Sequence, residues 1–199
     1  DKLIAIRKQI KVKPFKAQWE IGMAQKVWFH CSFWQNPERH EIKSMINAAL
    51  VATARENNYF DPKKPVKRPL KKQKELLIVY LEKWGAGTAM YRCYAKAFRA
   101  LKDKFQVVAV GLETRIKGRI DSDFDDVISL KAPNDFVGMK TIAEQLRSLE
   151  PAAMLYSSIG MCPLGVQLAQ LRIAPIQMMN IGHPSSSKSS AIDYMLLEK

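Results

Sequence analysis

Long apolar runs are missing from this sequence. No run approaches the roughly 18 residues of a membrane-spanning helix, so no span is expected. The first residues, Asp1-Lys2-Leu3-Ile4-Ala5, hold no initiator methionine and no signal-peptide pattern. The expectation is a piece cut from a longer chain. Cysteine is scarce and odd in number. Cys31, Cys93 and Cys162 lie far apart, which gives neither a disulfide framework nor a metal-ligand spacing. They read as buried thiols in a reducing cytoplasm. Histidine is scarcer in function than in number: His30 and His40 stand ten apart with no third ligand at metal spacing, so packing or surface roles are expected and no metal. No Gly-x-Gly-x-x-Gly follows a strand and no Walker A sequence occurs, which removes the dinucleotide fingerprint and the P-loop. Gly85-Ala86-Gly87 is a shorter signal.

What is present is a core. Hydrophobic residues make up 47% of 199, enough for a folded domain. The net charge of +13 is uneven. Residues 1–74 hold 17 Lys/Arg against 6 Asp/Glu, and residues 75–199 hold 15 against 13. A basic half beside a near-neutral half predicts two units with different surfaces.

The basic half divides further. Residues 1–13 alternate apolar and basic, fitting a strand or a frayed helix, until Pro14 ends them. Trp19, Met23, Val27 and Cys31 lie four apart, which predicts a helix with that apolar face. A second helix is predicted from Pro37 to Asn57, with Asn36 as its cap. Residues 1–60 thus read as the end of an all-α domain. Residues 61–74, with three prolines among lysines, read as a solvated linker. The same tract resembles a basic nucleic-acid or localisation sequence, but aromatics for base stacking are absent from it, and nucleic acid is not the favoured partner.

From Glu75 the pattern changes. Leu76–Leu81 is a continuous apolar run, the mark of a strand buried on both faces. A helix at 89–103, a strand at 105–110 stopped by Gly111, a solvated acidic loop around Asp121, Asp123, Asp125 and Asp126, and a strand at 127–130 follow. Then come a helix at 135–149 capped by Asn134, a strand at 152–156 and a short helix at 162–171. Alternating strands and helices predict an α/β fold around a parallel, Rossmann-like sheet over residues 75–199.

The stretch Ala174-Pro175-Ile176-Gln177-Met178-Met179-Asn180-Ile181-Gly182-His183-Pro184 reads as a buried strand. It delivers an imidazole, and then the hydroxyls of Ser185, Ser186 and Ser187, to a loop at the strand's carboxyl end. Ligands of open α/β sheets bind at those ends.

Arg172-Ile173-Ala174-Pro175-Ile176-Gln177, then Gly182-His183-Pro184, a serine-rich segment and Ile192-Asp193-Tyr194, resemble glycosyltransferase family 41, in its bacterial branch of adhesin-modifying N-glucosyltransferases. Leu81-Glu82 with Met90-Tyr91-Arg92, and Ser158-Ile159-Gly160-Met161, resemble two further stretches of that branch. The likeness spans residues 76–199. It implies the first half of a GT-B fold, two Rossmann-like domains facing a cleft, with the second half beyond Lys199. It implies a UDP-hexose donor such as UDP-glucose, no cofactor or metal, inverting transfer, and asparagine of an adhesin sequon as acceptor. It implies His183 as catalytic base. Gln177, Gly182, Ser185, Ser186, Ser187, Lys188, Thr88 and Arg92 would be substrate-side residues, with Lys188 toward the diphosphate. The pattern departs from the family where Gly85, Thr88 and Lys188 stand in place of histidines. A catalytically altered relative acting as a binding module therefore stands as the alternative.

Overall fold

The structure, a computed structural model, describes residues 12–60, 74–116, 120, 122–182 and 185–197. Most of the 61–74 linker, the 1–11 segment and His183 lie outside those residues.

The α/β expectation is met. Strands β1 (Glu75–Leu81), β2 (Phe105–Leu112), β3 (Asp126–Leu130), β4 (Ala153–Tyr156), β5 (Ile176–Asn180) and β6 (Tyr194–Leu196) form one sheet in the order 3-2-1-4-5-6. Every neighbouring pair is parallel. Helices are α1 (Gln18–His30), α2 (Glu41–Glu56), α3 (Ala89–Leu101), α4 (Phe136–Ser148) and α5 (Pro163–Leu168). The strand order reverses between β1 and β4. In a doubly wound sheet the crevice outside those two carboxyl ends is the place where ligands bind.

Strand alternation divides the core. Leu76, Ile78 and Tyr80 of β1 face a core shared with Ile21 and Trp28 of α1, Leu50 and Ala54 of α2, and the inner faces of α4 and α5. Leu77, Val79 and Leu81 face the other way, toward Trp84 and α3. Helices α1 and α2 are thus packed into the same core as one face of the sheet.

Several local expectations are corrected. Trp19, Met23 and Val27 are exposed, and α1 buries Ile21 and Trp28 instead. Helix α2 starts at Glu41, because Asn36 caps a tight turn, accepting from the Glu38 N–H at 2.7 Å. Strand β2 runs through Gly111 to Leu112; glycine is needed there, since a Cβ would come 2.5 Å from the Leu81 carbonyl oxygen. Asp135, not Asn134, caps α4 by accepting from the Gly138 N–H at 2.8 Å. Asp123 is buried rather than solvated: it takes Arg99 Nε at 2.6 Å and Trp84 Nε1 at 3.3 Å. Cys31 and Cys162 are buried as expected, and Cys93 is exposed.

Candidate active site

Three strand exits converge at the switch point. The β1 exit begins with Glu82, whose side chain is buried in the β4–α5 loop. Its carboxylate accepts from Ser158 Oγ at 2.9 Å and from the N–H groups of Gly160 (2.9 Å), Met161 (2.9 Å) and Cys162 (3.2 Å). Burial pushes the Glu82 pKa up, while these four donors pull it down. A loop of convergent N–H groups after a parallel strand ordinarily offers itself to an anionic ligand. Here the protein's own carboxylate fills it. Two stretches of the family resemblance, Leu81-Glu82 and Ser158–Met161, thus meet through this one side chain.

The β5 exit passes close beneath. A Cβ on Gly182 would lie 2.5 Å from the Ser157 carbonyl oxygen, 2.6 Å from Ser158 Cβ and 2.7 Å from Met90 Sδ. Only glycine lets this exit reach the β4 exit and the first turn of α3. Ser157 Oγ is buried beside it with no hydrogen-bond partner among the described residues. Thr88 caps α3: its Oγ1 accepts from the Tyr91 N–H at 3.2 Å and donates to the Gly85 carbonyl at 2.9 Å. Arg92, one turn on, is exposed and donates to the Gly87 carbonyl at 3.2 Å. Gly182 and the Thr88 end of α3 are therefore brought together at the sheet's carboxyl edge. His183, the next residue after Gly182, lies outside the described residues.

Ser185, Ser186 and Ser187 run to the helical pair. Lys43 Nζ donates to Ser185 Oγ at 2.7 Å and to the Ser186 carbonyl at 3.1 Å. Ser32 Oγ and Ser185 Oγ are 3.0 Å apart. Asn47 Nδ2 donates to the Ser187 carbonyl at 2.9 Å, and its Oδ1 accepts from Trp28 Nε1 at 3.0 Å. Lys188, at φ 54°, pairs with Glu41 at 3.4 Å. Lys43 is wholly buried, with its ammonium 4.1 Å from the Trp28 ring centroid. Burial lowers its pKa to about 8.

Gln177 is set apart from these groups. Its Oε1 accepts from the N–H groups of Ile173 (2.7 Å) and Ala174 (3.2 Å), and its Nε2 donates to the carbonyls of Leu171 (3.0 Å) and Ala191 (2.8 Å). All four positions of the amide are taken. Asp193 completes the tie, with both oxygens on Arg172 at 2.7 and 3.0 Å and Oδ2 also on the Gln177 N–H at 2.8 Å. Burial pushes the Asp193 carboxyl up, but Arg172 and the Gln177 N–H hold it below its usual range. The most recognisable residues of the stretch therefore fasten β5 to the approach of β6.

Sequence reasoning missed Lys43, Asn47 and the cradle role of Glu82. A signal existed for the first two: Lys43, Asn47, Leu50 and Ala54 fall on one stripe of α2, so two polar groups had to be satisfied inside an apolar face.

No family model matches the chain. It is similar to two curated proteins named UDP-glucose:protein N-beta-glucosyltransferase, from Actinobacillus pleuropneumoniae serotype 5b (strain L20) and serotype 7 (strain AP76). Each is 24% identical over 181 residues, covering 89% of this chain and 28% of the relative. The chain thus spans little more than a quarter of the length of these relatives. Among solved structures it is similar to a mutant of Thermobaculum terrenum O-GlcNAc transferase, with a TM-score of 0.59 and 16% identity over 89% of this chain and 33% of that one. That likeness is one of fold, and the fold is the Rossmann-like half of GT-B type read from the sequence. The similarity to N-glucosyltransferases agrees with the resemblance carried by the motifs.

Proposed function

We propose that this chain is the first Rossmann-like half, with an adjoining helical pair, of a protein glycosyltransferase. The whole protein takes a hexose from a UDP-sugar, UDP-glucose first among them, and transfers it to an acceptor protein. The finer reading is inverting, metal-independent transfer to asparagine in an adhesin sequon, in the bacterial cytoplasm. The observation that carries the coarser reading is the similarity over 89% of this chain to proteins named UDP-glucose:protein N-beta-glucosyltransferase; the finer reading rests on the resemblance of the motifs. The motif residues support it by clustering: Glu82 with Ser158–Met161, and Arg172 with Gln177 and Asp193.

His183, directly after Gly182, is the residue assigned the proton. A neutral imidazole near pH 7 suits a general base. The filled cradle around Glu82 supports a division of labour in which this half leaves the donor's phosphates to the other half. Lys188, the residue assigned to the diphosphate, is paired with Glu41 at 3.4 Å here.

The test is transfer of labelled sugar from several UDP-hexoses to a sequon peptide by the full-length protein. His183→Ala should lower turnover by about a hundredfold to ten-thousandfold, the scale of a lost general base. Undiminished turnover in that variant would refute the assignment, and the 199 residues alone should give none. A second reading, a binding module without turnover, is favoured by Gly85, Thr88 and Lys188 standing where the family has histidines, with Thr88 committed to a helix cap. Peptide binding without transfer by the full-length protein would establish it instead.

A further inference from the structure

We propose that Lys43 of α2 is a positioning residue for the loop that follows His183, so that the helical pair is a working part of the site. This rests on the glycosyltransferase reading. Lys43 is wholly buried, and no carboxylate among the described residues pairs with it. The titratable groups that interact with it are Cys31, in the turn after α1, and His40; Arg39, Glu41 and Lys188 lie around His40, and Glu41 is paired with Lys188.

A buried ammonium without a counter-charge is a poor stabiliser. A methionine of similar volume would cover the Trp28 ring without that cost. What the ammonium supplies and a thioether cannot is direction: two donors fixed on Ser185 Oγ and on the Ser186 carbonyl. Asn47 extends the hold to the Ser187 carbonyl, and Trp28 fixes Asn47 in turn. Three consecutive residues are thereby set by α2, beginning two positions after the histidine assigned to the proton. Gly182 is set on the other side by the β4 exit. Lys43 thus holds the far end of a short segment whose near end is fixed by the sheet.

The experiment uses the full-length protein and Lys43→Met. Its melting temperature should stay or rise, while hydrogen exchange in the peptide covering 182–190 accelerates by about tenfold. Turnover should fall by about tenfold to a hundredfold, the scale of a mispositioned group, with donor KM within about twofold of wild type. Ser185→Ala, which removes the acceptor from the other side, should act in the same direction. Unchanged exchange and turnover in both variants would overturn the proposal. So would a large loss of melting temperature in Lys43→Met, which would make the residue merely structural. Should the wild-type protein transfer no sugar, the glycosyltransferase reading falls, and exchange at 182–190 still decides whether Lys43 sets the loop.

Discussion

Lys43 makes stability depend on pH with a definite sign. Its pKa is lowered by burial from 10.5 to about 8 in the folded state. Below pH 8 both folded and unfolded chains carry this proton, and the folded state bears the cost of burying it. Between pH 8 and 10.5 the folded state gives the proton up first, so the unfolded state binds more protons and stability rises with pH. The full gain is about 3 kcal/mol. Denaturation of wild type and Lys43→Met from pH 7 to 10.5 checks it: the wild type should gain on the variant across that window. A constant difference would show that the charge is not felt. Glu82 gives a second prediction at this scale. Glu82→Gln turns an amide NH2 toward N–H donors that now meet carboxylate oxygens. It should cost about 2 to 4 kcal/mol, read from the denaturation midpoint. Lys43 left a signal in its place on the apolar stripe of α2, but the cradle role of Glu82 left none. Glu82 is one charge at the end of an apolar run, and its four partners come from a loop more than seventy residues away in sequence, where no local pattern points back to it.

At the scale of elements, the sheet was legible and the faces of the helices were not. The continuous apolar run Leu76–Leu81 reads as a strand buried on both sides and is one, and the stretch around Met178 is a strand as read, though Ile176 on one of its faces is exposed. Helix α1 shows why helices are harder. Its four-residue spacing of Trp19, Met23 and Val27 is real but exposed, because Trp28, one position round the helix, docks on the β4–α5 loop. Gly160 makes that docking possible. It sits at φ +126°, and a Cβ there would come 2.5 Å from Trp28 Cζ3. Gln25 Nε2 donates to the same residue's carbonyl. Gly160→Ala should therefore destabilise by about 2 to 4 kcal/mol through strain and overpacking. The loss should appear jointly in α1 and in the loop around Glu82. Hydrogen exchange read by segment checks this; a loss confined to α1 would argue that Gly160 serves the helix contact alone.

At the scale of the molecule, the two faces of the sheet are covered unequally. Helices α1, α2, α4 and α5 lie on one side, and among the described helices α3 alone contributes to the core of the other. The register puts Met178 opposite Tyr194 and Asn180 opposite Leu196, so Ile176, Met178, Tyr194 and Leu196 share this second face. Tyr194 is 60% exposed, Ile176 42% and Leu196 41%. Strand β6 is also a sheet edge, paired only with β5 among the described strands. An apolar edge without lysine or proline invites pairing with another chain, and a contiguous apolar strip beside it adds driving force. The 199-residue chain made by itself should therefore self-associate with rising concentration. Replacing both Tyr194 and Leu196 by lysine should remove that tendency, since two charges on one short edge strand oppose both pairing and burial. Sedimentation velocity over a range of concentrations checks it. A chain that stays monomeric without the substitutions would show that this face is not adhesive, and association unchanged by the lysines would place the sticky surface elsewhere, with the exposed Trp19–Met23–Val27 stripe of α1 the next surface to alter.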